Sequence, residues 1–171
     1  RLVGSEMCIR DRAWVFLEPA AMQREVAVVG KLYAGKDQDG DFKWIVKQPL
    51  YKKAMFVICE NFLDMLSDNQ AAGGGTACLR PYTKRGLGEG EGNVYRAAGI
   101  PTGWSTETQG FPCLDKHYSK LAIDLAFERL VLILEQQPDI DMLIYSCDSE
   151  DPALIGTNKF KDTIGQDVVK Y

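Results

Sequence analysis

The stretch from Ala54 to Pro81, AMFVICENFLDMLSDNQAAGGGTACLRP, limits the possible folds more than any other part of the chain. It opens with an apolar run, Met55 to Cys59, that stops at the polar pair Glu60-Asn61. An unbroken apolar run of this kind predicts a strand buried on both faces. A loop or short helical turn follows, then three consecutive glycines, Gly73 to Gly75, then Thr76 and Arg80-Pro81. A buried strand that delivers a polar tip beside a glycine triplet is how many α/β proteins bring backbone N–H groups close to a ligand.

The rest of the chain supports the same class. Val26 to Val29 is a β-branched run and predicts a strand. Asp39-Gly40 suits a tight turn, and Phe42, Trp44 and Val46 share one strand face with Lys43 and Lys47 on the other, so Val26 to Lys47 reads as a hairpin on an edge of the sheet. Asp37, Asp39 and Asp41 alternate as calcium ligands do, but position 48 is Gln where the calcium loop needs Glu, so a polar turn is the better reading. Ala97 to Trp104 predicts a short strand leading to a Pro-Thr-Gly turn. Asp115 is a candidate cap for a helix from about Lys116 to Gln137, with Ile123, Ala126, Phe127, Leu130, Val131 and Leu134 on one stripe. Met142 to Tyr145 predicts another strand, and about Gly165 to Tyr171 a last helix. Strands that alternate with helices and end in polar residues mark the α/β class, whose ligands gather at the carboxyl ends of the strands. There the Asn61 loop, the Thr102-Gly103 turn and the Ser146 to Asn158 loop are expected to meet.

Composition excludes some functions. The 171 residues carry 46% hydrophobic and 26% charged side chains, which suits one globular domain. A net charge of −4 gives no global footprint for nucleic acid or an anionic membrane. No apolar run approaches the roughly 20 residues that span a bilayer. Five cysteines without paired spacing read as reduced thiols, so the expected location is cytoplasmic. The first twelve residues, RLVGSEMCIRDR, resemble a translated sequencing-adapter artefact of metagenomic reading frames and are set aside as non-native. Residues 13–171 are then one domain, 13–50 forming the edge hairpin region and 51–171 the core. The last residues stop in mid-pattern, as a clipped terminus would.

Two glycine-rich motifs fail on inspection. GLGEGEG lacks the G-x-G-x-x-G spacing, follows no strand, and carries Glu89 and Glu91, which repel a pyrophosphate. Gly73 to Gly75 is followed by no Gly-Lys-Ser/Thr, so it is not a P-loop.

ENFLDMLSDNQAAGGGTACLRP resembles the first ligand loop of macro domains, in which a strand ends in Asn and a glycine triplet precedes a helix. LIYSCDSEDPALIGTNKF is similar to their second loop, where a Gly-Thr turn wraps a diphosphate. The combined pattern also looks like a group of uncharacterised bacterial and phage proteins of this small α/β type. The resemblance covers about Ala54 to Tyr171 and implies a single three-layer α/β/α domain with a central mixed sheet, macro-like or Rossmann-like. It implies that Asn61 holds a distal ribose, that Gly73, Gly74 and Gly75 let backbone approach it, and that Gly156, Thr157 and Asn158 donate N–H groups to phosphate. Two departures stand out: Glu60 precedes Asn61 and adds negative charge, and Asn158 stands where macro domains have Gly.

Each candidate has a plainer reading. The glycine triplet is equally a loop, Asn61 a cap of the next turn, and Arg80 the partner of a sheet-edge acid rather than of a phosphate. Ser146, Asp148, Glu150 and Asp151 suit Mg²⁺ chemically, although acidic runs after strands are usually solvated. His117, the one histidine, reads as a surface residue, which leaves little for a zinc site or a triad. Cys59, Cys78, Cys113 and Cys147 read as packed thiols. Three functions follow. The first is a nucleotide-binding domain for ADP-ribose or a related nucleotide, through Asn61, Gly73, Gly74, Gly75, Arg80, Thr102, Ser146 and the Gly156 loop. The second is a hydrolase of an ADP-ribosyl or nucleotide bond on the same site, with Glu60 or Asp148 positioning water or a metal. The third is a non-enzymatic phage or host interaction protein.

Overall fold

A computed structural model of the chain describes residues 2–3, 25–32, 39–67, 71–83, 94–104, 110–111, 113, 118–147 and 168. The strands are β1 (Leu2–Val3), β2 (Val26–Leu32), β3 (Ala54–Asn61), β4 (Ala97–Gly103) and β5 (Met142–Cys147). The α-helices are α1 (Phe42–Ile45), α2 (Phe62–Leu66) and α3 (Ser119–Gln136). Short 3-10 helices cover Pro49–Tyr51 and Gly75–Tyr82.

The fold is α/β. Four strands form a parallel sheet in the order β2-β5-β3-β4, and the two-residue β1 extends it beside β2, also parallel. The mixed sheet that the resemblance implied is therefore wrong, and so is the hairpin expected over Val26 to Lys47. β2 pairs with β5 instead, Ala27 opposite Met142 through Leu32 opposite Cys147. Phe42 to Ile45 is helical because two helix signals outweigh the alternation of Phe42, Trp44 and Val46. Asp41 caps the first turn, its Oδ1 accepting from the Trp44 N–H at 2.7 Å. The buried set is Phe42, Ile45 and Val46, a helical spacing that leaves Trp44 outside. The Asp39-Gly40 turn survives, with Gly40 at φ +88°, but it feeds a helix. The described neighbours β3 and β4 are separated by residues 62–96, a connection long enough for the crossover that parallel pairing needs.

β3 is buried on both faces, as its apolar run predicts. Met55 and Val57 pack with Ala122, Ile123, Ala126, Leu130, Ile133 and Leu134 of α3. Ala54, Phe56 and Ile58 pack with Phe42 and Ile45 of α1 and with Cys78, Leu79 and Tyr82 of the second 3-10 helix. The Phe42 and Phe56 ring centroids lie 5.5 Å apart, which ties α1 to the sheet. α3 begins at Ser119, later than the start near Lys116 expected from Asp115 as a cap, because Tyr118 takes a left-handed φ of 60°. Of the expected stripe, Phe127 and Val131 are only half-buried, and Ala122 and Ile133 take their place in the core. Asp115 and His117 lie outside the described residues, as does all of the expected last helix except Val168, which is helical and buried.

β4 continues through Pro101 and Thr102, where the sequence suggested a turn. Among the described strands it pairs with β3 alone, an isolated antiparallel bridge joining its last residue Gly103 to Gly110, and an edge strand is the setting in which a residue without an N–H is tolerated. The register slips between Glu60, opposite Pro101, and Asn61, opposite Gly103. Thr102 is thus an extra residue bulged at the carboxyl end of the central pair. Among the described residues no helix is long and apolar enough to cross a membrane.

Candidate functional site at the carboxyl edge

β3 delivers Glu60 and Asn61 to the carboxyl edge, both buried. α2 starts immediately after them and turns Asp64 back toward the strand tip. The 3-10 helix returns Arg80 to the same point. Arg80 Nε donates to Glu60 Oε2 at 2.8 Å and Nη2 to Oε1 at 2.7 Å, a forked pair. Nη2 also reaches Asp64 Oδ2 at 2.9 Å, and Nη1 the Ala71 carbonyl at 3.0 Å. The hydrogen bond to Glu60, against a smaller effect of burial, raises the Arg80 pKa further above its usual value. Glu60 Oε1 accepts in addition from the Asn61 N–H at 3.0 Å. Both oxygens of Glu60 are therefore engaged, and Arg80 has met the plainer of its two readings by pairing with sheet-edge acids.

The glycine triplet is shaped by that arginine. A Cβ on Gly73 would lie 2.8 Å from Ala77 Cβ and 3.1 Å from Arg80 Nη2, so only glycine lets the backbone pass there. The Gly73 N–H donates to the Ala77 carbonyl at 2.9 Å, which closes the turn around the guanidinium. Gly75 has φ +57°, and Gly74 and Gly75 are exposed with open space beside them. Two of the three glycines thus have local structural reasons, and the outer backbone of the turn still faces solvent.

Asn61 occupies the N-cap position of α2 but makes no capping bond. Its Nδ2 donates to Asp64 Oδ2 at 3.1 Å. Because a carboxylate only accepts, that bond fixes which end of the amide is which. The other end, Oδ1, is buried with no hydrogen-bond partner among the described residues. Leaving an acceptor dry in this way costs about 1–3 kcal/mol. A donor brought by a ligand would recover it.

Thr102 sits in the bulge beside this tip and is buried, its carbonyl accepting from the Phe111 N–H at 2.8 Å. Ser146 is buried too, but at a different height. Tyr145 pairs with Val57, so Ser146 lies level with Ile58, three residues short of Asn61 and about 10 Å back along the strands. The structure therefore brings together Glu60, Asn61, Arg80, Thr102 and the glycine turn, and sets Ser146 apart. Asp148, Glu150, Asp151, Gly156, Thr157 and Asn158 lie outside the described residues. Among the described residues no group of acidic, His and Cys side chains is arranged to hold a metal.

Three features escaped the sequence reading. Asp64 is the shared partner of Asn61 and Arg80, and its spacing from Glu60, one helical turn on, is the signal that would have found it. Thr76 Oγ1 accepts from the Cys59 N–H at 3.1 Å and ties the glycine turn to β3. Phe62, Trp104 and Phe111 stack edge-to-face, each neighbouring pair with centroids 5.2 Å apart, and wall the tip. Burial pushes the Cys59 thiol up to about 12, against a lowering by its hydrogen bond with Thr76 and with a smaller push from the Glu60 charge. A thiol held protonated in this way is a poor nucleophile near neutral pH. A cavity of about 20 Å³ beside the Arg80 pair, bordered by Gly99 and Ala126, has room for a single water.

Comparison of the chain with protein-family models, with curated proteins and with solved structures returned no match.

Proposed function

We propose that the carboxyl edge of the sheet binds ADP-ribose or a related nucleotide, on a three-layer α/β/α scaffold of macro-like architecture. The observation that carries this reading is the unpartnered, buried Oδ1 of Asn61, held at a bulge between Thr102 and a glycine turn with exposed backbone. A ribose hydroxyl is a donor of the right kind for that oxygen, and backbone N–H groups of a glycine turn suit phosphate oxygens. Parallel strands ending together favour the same edge.

The occupancy of Glu60 favours binding over hydrolysis. A general base must take a proton from water, and both Glu60 oxygens are already engaged by Arg80, with Oε1 also accepting from the Asn61 N–H. The hydrolase reading then rests on Asp148 alone.

A thermal-shift series on the full chain tests the proposal, using ADP-ribose, ADP, NAD and inorganic phosphate, each with and without Mg²⁺. ADP-ribose is expected to raise the midpoint of the parent chain and to leave Asn61→Ala unmoved. Absence of a shift with every nucleotide, or a shift that Asn61→Ala keeps, would reject it.

A further inference from the structure

The opposite edge of the sheet holds a groove of about 900 Å³. Its walls are the segments that enter β3, β4 and β5, so it opens at the amino ends of the strands. Four of its side chains are basic, Lys47, Lys52, Lys53 and Arg96, against one acid, Asp139. That balance runs against the whole chain, whose net charge is −4.

Arg96 is held differently from the exposed lysines. It is half-buried, and Nε donates to the Ala54 carbonyl at 3.1 Å while Nη2 donates to the carbonyls of Val46 at 3.2 Å and Tyr51 at 2.7 Å. Carbonyls orient a guanidinium without neutralising it. No carboxylate among the described residues pairs with Arg96, and its two Nη1 protons are not taken up by these bonds. The adjoining wall is fixed as well. Gln137 clasps the Tyr95 backbone, Oε1 accepting from its N–H at 2.6 Å and Nε2 donating to its carbonyl at 3.1 Å. A cation kept in place beforehand, with further cations lining the same groove, is how a site recognises an anion at low ordering cost.

We propose that this groove is a second ligand site, taking a small phosphate-bearing anion on Arg96 Nη1 with Lys47, Lys52 and Lys53 around it. Phosphate fits better than a carboxylate because it carries up to two charges and several acceptor oxygens, matching several cations around one fork. A small molecule fits better than a nucleic acid because the volume lies in the usual ligand range of about 300–1,000 Å³ and the chain as a whole is acidic.

Calorimetric titration of the full chain at low salt tests this, with inorganic pyrophosphate as the probe, acetate as the carboxylate control and a short single-stranded oligonucleotide as the macromolecular alternative. Pyrophosphate is expected to bind, acetate to give no heat, and Lys52→Glu with Lys53→Glu to weaken pyrophosphate about tenfold or more. Arg96→Lys, which keeps the charge and loses the fork, should weaken it as well, and the exposed lysine pair decides the matter if that variant fails to fold. Asn61→Ala should leave pyrophosphate binding intact, which separates this site from the carboxyl edge. No heat with pyrophosphate, equal binding of acetate, or an affinity indifferent to the lysine reversals overturns the proposal. Oligonucleotide binding in the absence of pyrophosphate binding would do the same.

Discussion

Arg80 grips both carboxylate oxygens of Glu60 across twenty residues of chain, at 2.7 and 2.8 Å, with both side chains buried. The pair joins the tip of the central strand to the helix that follows the glycine turn. It therefore does two jobs at once: it sets the shape of that turn, and it engages both carboxylate oxygens of Glu60.

Breaking one half of such a pair leaves the other charge buried and uncompensated. Arg80→Met is expected to cost about 3–5 kcal/mol in urea unfolding. Replacing Glu60 as well, by Gln, should restore part of the loss, since only the less buried Asp64 charge then remains opposite position 80. A single-variant loss below about 1 kcal/mol would show that the pair is solvated in practice.

Asn61 should separate stability from binding. Asn61→Ala loses the bond to Asp64 and also removes the dry Oδ1, two effects of about 1 kcal/mol with opposite signs. The unfolding midpoint should move little while ADP-ribose affinity falls about tenfold or more. A large stability loss would mean that Oδ1 has a protein partner, and the argument for a ligand there would go with it.

The sequence was most readable where burial alone decides structure. Met55 to Cys59 and Met142 to Tyr145 are apolar without interruption, and both are strands of the parallel sheet. It misled where two periods compete over few residues, as in Phe42 to Lys47, and there one cap on Asp41 tipped the balance. At the site, Glu60, Asn61 and the glycines were visible as a polar tip beside a permissive turn. What was not visible was who pairs with whom. Arg80 could meet a phosphate or an acid, and only the long-range return of the chain brings it to Glu60 and Asp64. The basic groove was hidden for the same reason, since Lys53, Arg96 and Asp139 are far apart in sequence and adjoin only once the strands are aligned.

The three glycines should respond differently to alanine. Gly73→Ala forces a methyl against Ala77 and Arg80 and is expected to cost about 1–3 kcal/mol. Gly75→Ala meets open space but must hold φ near +57°, a strain of about 1–2 kcal/mol. Gly74→Ala has neither problem and should be neutral in stability. Equal effects at all three positions would contradict the turn geometry.

Capping of α1 by Asp41 gives a fourth test. Asp41→Ala removes the acceptor for the Trp44 N–H and should cost about 0.5–2 kcal/mol, whereas a polar hairpin turn would tolerate the change. Phe42→Ala should cost more, about 3–5 kcal/mol, because its ring is fully buried against Phe56. Thermal or urea unfolding of both variants checks the order. A neutral Asp41→Ala would return the segment to the strand reading.

Cys59 supplies the pH dependence. Its thiol is raised from an ordinary 9.0 to about 12, chiefly by burial. The folded state therefore keeps a proton that the unfolded chain gives up between these values. The stability linked to this proton is fully present below pH 9 and is lost as the pH rises toward 12. Cys59→Ala lacks the titrating group, so the stability difference between parent and variant should shrink across that window and stay constant below it. In the native protein Cys59 should also resist thiol alkylation at pH 8, where a free thiol with the ordinary value reacts readily. Mass spectrometry of the labelled peptide reads this directly. Rapid native-state labelling of Cys59 would mean that the strand tip is open to solvent, and with it the dry environment assigned to Asn61.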